Sequence, residues 1–311
     1  MEWFEKFREE MNVVFAQAEQ IVARFPPPYH QSGQHYLDQF TVLKETSSKN
    51  YICYLLPYWL QNLTGLDTGI NRRLALGSVF GMLYYFIIDD LMDSPTPDCR
   101  EKLPLGHLFH YEFLSIFREL FPAADSPLWH AYRTFDAQWA EALVREKDSL
   151  AMQDKPLALA HKAAPVKLTA TAALLLANRP ELQGELNASI DRVLVTLQLA
   201  DDWTDWEADL LEGNYNALLA LASPSLAAIH SLSADNIRKL IYDGDLADRY
   251  VRLAQEYRMQ AAETLSLPDL QAFHDFLIDS MDRDATRIRE AQDSLTAGGL
   301  FYYLSKNLQN R

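Results

Sequence analysis

Apolar residues recur three and four positions apart along nearly the whole of this chain, a period that an amphipathic helix buries on one face and a strand cannot. Phe4, Phe7, Met11, Val14, Phe15 and Ala18 set the first such stripe, and Pro26-Pro27-Pro28 stops it. Similar segments run through 50–63, 70–92, 105–121, 127–149, 157–178, 181–212, 235–265, 267–293 and 296–309. Only 11 glycines occur in 311 residues, scattered rather than gathered at hairpin turns, which leaves little material for a sheet. The spacing therefore predicts an all-α protein of about ten helices. Pro95-Thr96-Pro97, Asp125-Ser126-Pro127 and Ser223-Pro224-Ser225 are too short to be linkers, and no repeat is visible. Residues 1–311 are read as a single helical domain.

Charge and cysteine content exclude several classes of function. With 43 acidic against 28 basic side chains the formal net charge is -15, which repels nucleic acid and anionic lipid alike. Two cysteines, Cys53 and Cys99, cannot build a disulfide framework or a paired thiolate zinc site and fit a reducing cytoplasm. The acidic, amphipathic start Met1-Glu2-Trp3-Phe4-Glu5-Lys6 lacks the features of a secretion signal. The apolar run Leu74 to Ile88 ends in two aspartates and falls short of a bilayer, so no membrane insertion is expected. Gly77-Ser78-Val79-Phe80-Gly81 lacks nucleophile-elbow spacing, and its small residues suit close helix packing. His107 and His110 have no nearby carboxylate to complete a metal set and read as ordinary helix residues.

Two acidic clusters carry the chemistry. In Met82-Leu83-Tyr84-Tyr85-Phe86-Ile87-Ile88-Asp89-Asp90-Leu91-Met92-Asp93 a strongly apolar helix ends in three carboxylates. Asp89 and Asp93 stand one turn apart on a common face, with Tyr85, Phe86 and Met82 beneath them. Taken alone this pattern also suits a solvated helix end that merely stops the apolar run. The stretch Leu197-Gln198-Leu199-Ala200-Asp201-Asp202-Trp203-Thr204-Asp205-Trp206-Glu207-Ala208-Asp209 repeats the pattern, with Asp201, Asp205 and Asp209 on one face over two turns. Like charges at the negative end of a helix dipole call for a positive partner. Hard oxygen ligands without histidine or cysteine suit Mg²⁺ or Mn²⁺, and Mg²⁺ commonly completes its shell with substrate phosphates. A diphosphate on an allylic hydrocarbon would use both parts, since metal neutralises the leaving group while a dry aromatic wall shelters and stabilises a cation.

The two motifs resemble those of class I isoprenoid synthases, the superfamily of terpene cyclases, chain-elongating prenyltransferases and squalene or phytoene synthases. Asp89-Asp90-Leu91-Met92-Asp93 is similar to the aspartate-rich DDxxD motif, and Asp201 through Asp209 has the register of the cyclase NDxxSxxxE motif with aspartate at all three ligand positions. The resemblance implies a single helical bundle around a central apolar cavity and three Mg²⁺ ions, with Mn²⁺ as an alternative. Asp89 and Asp93 would hold two of them, with Asp90 beside them, and Asp201, Asp205 and Asp209 the third. It implies a prenyl diphosphate substrate, and it allows a homodimer.

Within the superfamily the sequence is most like a microbial terpene cyclase. Elongating enzymes carry an arginine pair soon after the first motif, whereas here Ser94-Pro95-Thr96-Pro97-Asp98-Cys99-Arg100-Glu101-Lys102 follows. Squalene-type enzymes continue into basic residues and a Tyr-Leu-Pro end, whereas here Leu210-Leu211-Glu212-Gly213-Asn214-Tyr215-Asn216-Ala217 follows. Lys167-Leu168-Thr169 resembles the Lys-Thr pair by which elongating enzymes touch diphosphate, with a solvated lysine as the other reading. Arg283 and Arg287, one turn apart, are the other basic candidates, while Arg249-Tyr250 reads as a surface pair. The expected activity is Mg²⁺-dependent ionisation of a fifteen- or twenty-carbon prenyl diphosphate, a bicyclic diterpenyl diphosphate included, to a terpene hydrocarbon or alcohol. The rivals are a prenyltransferase and, from another class, a non-enzymatic helical protein that binds metal or a partner.

Overall fold

Every regular element among the described residues is helical. The computed structural model describes residues 1–93, 99–145, 156–223 and 232–308, with the side chains of 93, 156 and 295–308 outside that set. The helices are α1 (Arg8–Val22), α2 (Tyr29–Phe40), α3 (Tyr51–Trp59), α4 (Thr68–Asp93), α5 (Cys99–Leu120), α6 (Pro127–Arg145), α7 (Lys167–Leu176), α8 (Gln183–Glu212), α9 (Ala217–Ala222), α10 (Ala234–Tyr242), α11 (Leu246–Ala262) and α12 (Pro268–Leu308). Single turns at Glu2–Glu5, Gln61–Thr64 and Pro180–Leu182 and a 3₁₀ segment, Pro156–Val166, complete the set.

Local chemistry explains where these elements depart from the periodicity. The first stripe is interrupted at Phe7, whose φ of -111° and ψ of 6° are not helical. The segment 157–178 divides because Pro165 has no amide to donate, so a 3₁₀ run containing the non-helical Ala163 precedes α7. Asp243-Gly244-Asp245 separates α10 from α11. The expected helices 267–293 and 296–309 are one helix, because the intervening residues tolerate helix although Gly298-Gly299 weakens it. Helix α2 was not among the expected segments: Tyr29–Phe40 is largely polar, although its buried residues Gly33, Tyr36 and Leu37 do stand at i, i+3 and i+4.

The chain divides into two compact units interleaved in sequence, one comprising Met1–Gln138, Ala163–Asn187 and Leu267–Leu270, the other Trp139–Lys162, Ala188–Ser266 and Gln271–Arg311. In the first unit α4 packs against α1, α3, α5 and α7, burying Val79, Phe80, Leu83 and Ile87 completely. The helix is longer than its apolar run suggested. Thr68–Met92, 25 residues, is long and apolar enough by composition to cross a bilayer, but 67% of its apolar window is buried inside the protein, as in a core helix.

Glycines bring α4 and α5 together. A Cβ at Gly106 would lie 2.6 Å from Cγ2 of Ile87, two residues before the acidic end of α4, and one at Gly77 would lie 2.8 Å from Phe117. Ile87 is β-branched and stiff, so it cannot swing aside. Gly106→Ala is therefore expected to destabilise, with an overpacking cost of about 1–3 kcal/mol exceeding the helix-propensity gain of about 1 kcal/mol. A Cβ at Gly184, in the first turn of α8, would meet nothing within 4 Å, so Gly184→Ala should be neutral or slightly stabilising. Thermal melts of the two variants check this; shifts of the same sign and size would contradict it.

In the second unit α8 is tied to its neighbours by buried polar contacts. Ser189 donates to the Ala261 carbonyl at 3.3 Å, Tyr250 donates to the Leu199 carbonyl at 2.9 Å, and Thr196 meets Nε2 of His274 at 2.6 Å. Around them Val193, Leu194, Leu199, Ala254, Phe273 and Met281 are all buried. Tyr250 is itself 0% exposed, so Arg249-Tyr250 is not a surface pair: the ring is core, stacked at 5.8 Å on Trp203.

Candidate functional site

The acidic end of α4 lies in the first unit. Asp89 is exposed, and Asp93 closes the helix with its side chain outside the described set. Asp90, one residue on and rotated by about 100°, faces different neighbours: its Oδ2 accepts from Tyr36 at 3.3 Å and from Lys102 at 3.1 Å. Burial, then the Asp90 and Asp89 charges, push the Tyr36 hydroxyl far above its ordinary value, so it stays protonated and donates.

Beneath these carboxylates lie the three residues expected to form a wall. Met82 and Tyr85 are buried, while Phe86 is half-buried and packs on Phe40 at 5.1 Å. The Tyr85 hydroxyl donates to Asp136 at 3.0 Å. Near it His110 contacts the Tyr132 hydroxyl at 3.0 Å and stacks on Tyr84 at 4.2 Å, which gives the histidine a packing role. Lys167 is not solvated. It is 2% exposed, its ammonium donates to Gln138 at 3.1 Å and lies 5.1 Å from the centre of the Phe135 ring.

The second acidic end is the last three turns of α8, in the other unit. Asp201 and Asp205 are exposed and Asp209 is half-buried. Although part of its side chain meets solvent, the surrounding protein crowds the Asp201 carboxyl and pushes it above its ordinary value, and the charge on Asp205 and then on Asp209 acts in the same direction, with Lys162 opposing. The helix stops at Gly213, whose φ of 77° suits a residue without a Cβ, and the amides of Gly213 and Asn214 both donate to the Asp209 carbonyl.

Asp202 and Asn216 were not anticipated, and together they fix this end. Asp202 is 4% exposed and accepts from the Ala217 amide at 2.7 Å and from Gln198 at 2.8 Å. Burial raises its carboxyl to about 6 despite those bonds. Asn216 is 1% exposed, caps α9 by accepting from the Leu218 and Leu219 amides, and donates both to the Asp202 carbonyl and to Oδ2 of Asp209 at 2.8 Å. A glycine followed three residues later by an asparagine and an apolar run is a helix stop and start, the one sequence signal that could have pointed here.

The late arginines are exposed. Arg287 donates to Asp284 at 3.3 Å, and Asp284 also accepts from the Trp203 indole at 3.3 Å, which links the arginine to the acidic stretch of α8. Arg283 stands one turn earlier on α12. Phe301-Tyr302-Tyr303, an aromatic run late in the sequence that suits either a pocket cap or core, lies outside the described side chains.

Among the described residues no three His, Cys, Asp or Glu side chains gather into a ready cage for one ion. The donor set nevertheless fits a hard divalent cation. It consists of carboxylate oxygens, and Asp201, Asp205 and Asp209 crowd like charge on one face of α8. Such a set is short of ligands that an anionic substrate would bring.

No protein-family model matches this sequence, and no curated protein does. The fold has a solved counterpart. The geranylgeranyl pyrophosphate synthetase from the archaeon Geoglobus acetivorans superposes with a TM-score of 0.65 over 88% of this chain and 99% of its own, at 15% sequence identity. The likeness defines the class of fold, an all-helical one of the isoprenoid synthase type.

Proposed function

We propose that this chain is a class I terpene synthase that ionises a fifteen- or twenty-carbon prenyl diphosphate with Mg²⁺. The observation that carries the reading is the row Asp201, Asp205 and Asp209, three carboxylates four residues apart on one face over the last three turns of α8. A second acidic helix end of the same kind, Asp89 to Asp93, stands on a fold shared with a prenyl diphosphate enzyme. Asp89 and Asp93 would hold two Mg²⁺ ions, and Asp201, Asp205 and Asp209 a third. Bound Mg²⁺ supplies positive charge to the departing diphosphate.

The remaining work falls to the chain itself. When the carbon–oxygen bond breaks, its electron pair leaves with the diphosphate and a carbocation stays behind. Met82, Tyr85 and Phe86 exclude water from it, and the aromatic faces favour positive charge. Lys167, Arg283 and Arg287 add positive charge for the diphosphate. Asp90, held by Tyr36 and Lys102, fixes the helix end and serves the metal less than its neighbours do. Both cysteines are free thiols, which suits a reducing cytoplasm.

The solved counterpart, a geranylgeranyl pyrophosphate synthetase by name, favours a second reading, a chain-elongating prenyltransferase. One experiment separates them. Purified protein is incubated with ten-, fifteen-, twenty- and twenty-five-carbon diphosphates and Mg²⁺, with and without isopentenyl diphosphate, and the extract is analysed by gas chromatography. A terpene hydrocarbon or alcohol without isopentenyl diphosphate is the expected result. Elongation only when it is present establishes the prenyltransferase, and consumption of no substrate overturns both readings.

A further inference from the structure

We propose that Asn216 is a positioning residue that holds the Asp209 carboxylate in its metal-facing orientation by fastening it to the start of α9. The inference rests on the functional reading above and deepens it. Asp209 is the last acidic residue of its row, one turn from the end of α8, where a helix ordinarily frays and a side chain turns freely. Here both ends of the residue are held. Its carbonyl accepts the Gly213 and Asn214 amides at 2.8 and 3.0 Å, and its Oδ2 accepts from Nδ2 of Asn216 at 2.8 Å.

Asn216 cannot turn away in its own right. Its Oδ1 accepts from the Leu218 and Leu219 amides at 2.9 and 3.2 Å, and its Nδ2 also donates to the Asp202 carbonyl at 2.8 Å. The Asp202 side chain in turn accepts from the Ala217 amide. The amide side chain is therefore used on both atoms, in a site 1% exposed, and one carboxylate oxygen of Asp209 is committed to it. The other oxygen, Oδ1, is left to a cation, so the bond selects one ligand atom and one direction. Partners that orient a metal ligand in this way commonly change metal affinity by about 10- to 100-fold when removed.

Two roles are present in one side chain, and substitution separates them. Asn216→Ser keeps an oxygen that caps α9, since serine is as good a cap as asparagine, but it is one bond shorter and has no amide hydrogens for Asp209. Asn216→Ala loses the cap as well. The test uses Mn²⁺ as the probe, titrated into full-length protein with saturating inorganic pyrophosphate and read as loss of the free-ion electron paramagnetic resonance signal, together with a metal-free thermal melt. The expected result is that Asn216→Ser, which keeps the cap but leaves the buried Asp202 carbonyl without this donor, melts below the wild type and above Asn216→Ala, and needs roughly tenfold more Mn²⁺ for half-saturation of its weakest site. Asn216→Ala should shift both readouts, and Asp209→Ala should lose that site. An Asn216→Ser protein that titrates like the wild type, while Asp209→Ala does not, overturns the positioning role and leaves the functional reading standing. Identical titrations of the wild type and Asp209→Ala overturn the functional reading and the inference with it.

Discussion

Replacing Asp205 with asparagine is expected to abolish diphosphate release and, at the same time, to make the metal-free protein slightly more stable. The two effects have one cause. Asp205 stands one turn from both Asp201 and Asp209 on α8, so its charge opposes two neighbours. Removing it relieves that repulsion by an amount worth on the order of 1 °C in melting temperature for a chain of this length. Losing a ligand to a charge-neutralising cation removes several kcal/mol of transition-state stabilisation, roughly a thousandfold in rate. Asp89→Asn should behave in the same way. Release of diphosphate from a prenyl substrate and a melt in chelator provide the two readouts. A variant that loses both activity and stability would place Asp205 among residues that hold the fold.

The second large effect concerns acid. His274 is 0% exposed between α12 and α8, with Nε2 against the Thr196 hydroxyl and Nδ1 unpartnered in its buried site. Burial, then the charge of Arg258, lowers its imidazole from 6.5 to about 4, with Asp275 opposing. The unfolded chain takes up a proton near 6.5 and the folded chain only near 4, so between those values the unfolded state holds more protons and stability falls as pH falls. The full loss is about 3 kcal/mol, complete near pH 4. Asp202 titrates in the opposite sense, since its carboxyl is raised from 3.8 to about 6 and the folded state gains relative stability as pH falls through that range. The wild-type profile alone conceals the histidine for this reason. Urea unfolding of the wild type and His274→Asn, compared at pH 7 and pH 4, isolates it: the stability advantage of the wild type should shrink by about 3 kcal/mol on acidification. An advantage independent of pH would show that His274 does not stay neutral in the folded protein.

The contrast between Asp201 and Asp202 shows what was legible in the sequence. Helical class was plain, because the 3.6-residue period of apolar side chains needs no knowledge of neighbours. The acidic rows were plain for the same reason, since carboxylates four apart share a face whatever lies opposite. Adjacent aspartates look alike in a string of letters, yet a rotation of about 100° leaves one exposed and sends the other into the core to hold α9. The same rotation sets Asp90 against Tyr36 and Lys102 while Asp89 stays exposed. Partners such as Asn216, Asp136 and Gln138 become visible only when distant segments meet. Lys167 illustrates the cost of lacking that information, because the letters leave it open between a diphosphate contact and a solvated lysine, and only Phe135 and Gln138 around it rule out the solvated one. Helix α2 escaped notice because its stripe of Gly33, Tyr36 and Leu37 is short and begins with a glycine, in a segment that is otherwise polar.

If the chain works as proposed, each acidic helix end contributes to Mg²⁺-dependent binding of diphosphate. Calorimetric titration of inorganic pyrophosphate into the wild type, Asp89→Ala and Asp205→Ala, each with Mg²⁺ and with chelator, measures this directly. The prediction is Mg²⁺-dependent binding in the wild type and affinity weakened at least tenfold by either substitution. Binding that is equally strong in chelator, or unchanged in both variants, would contradict it.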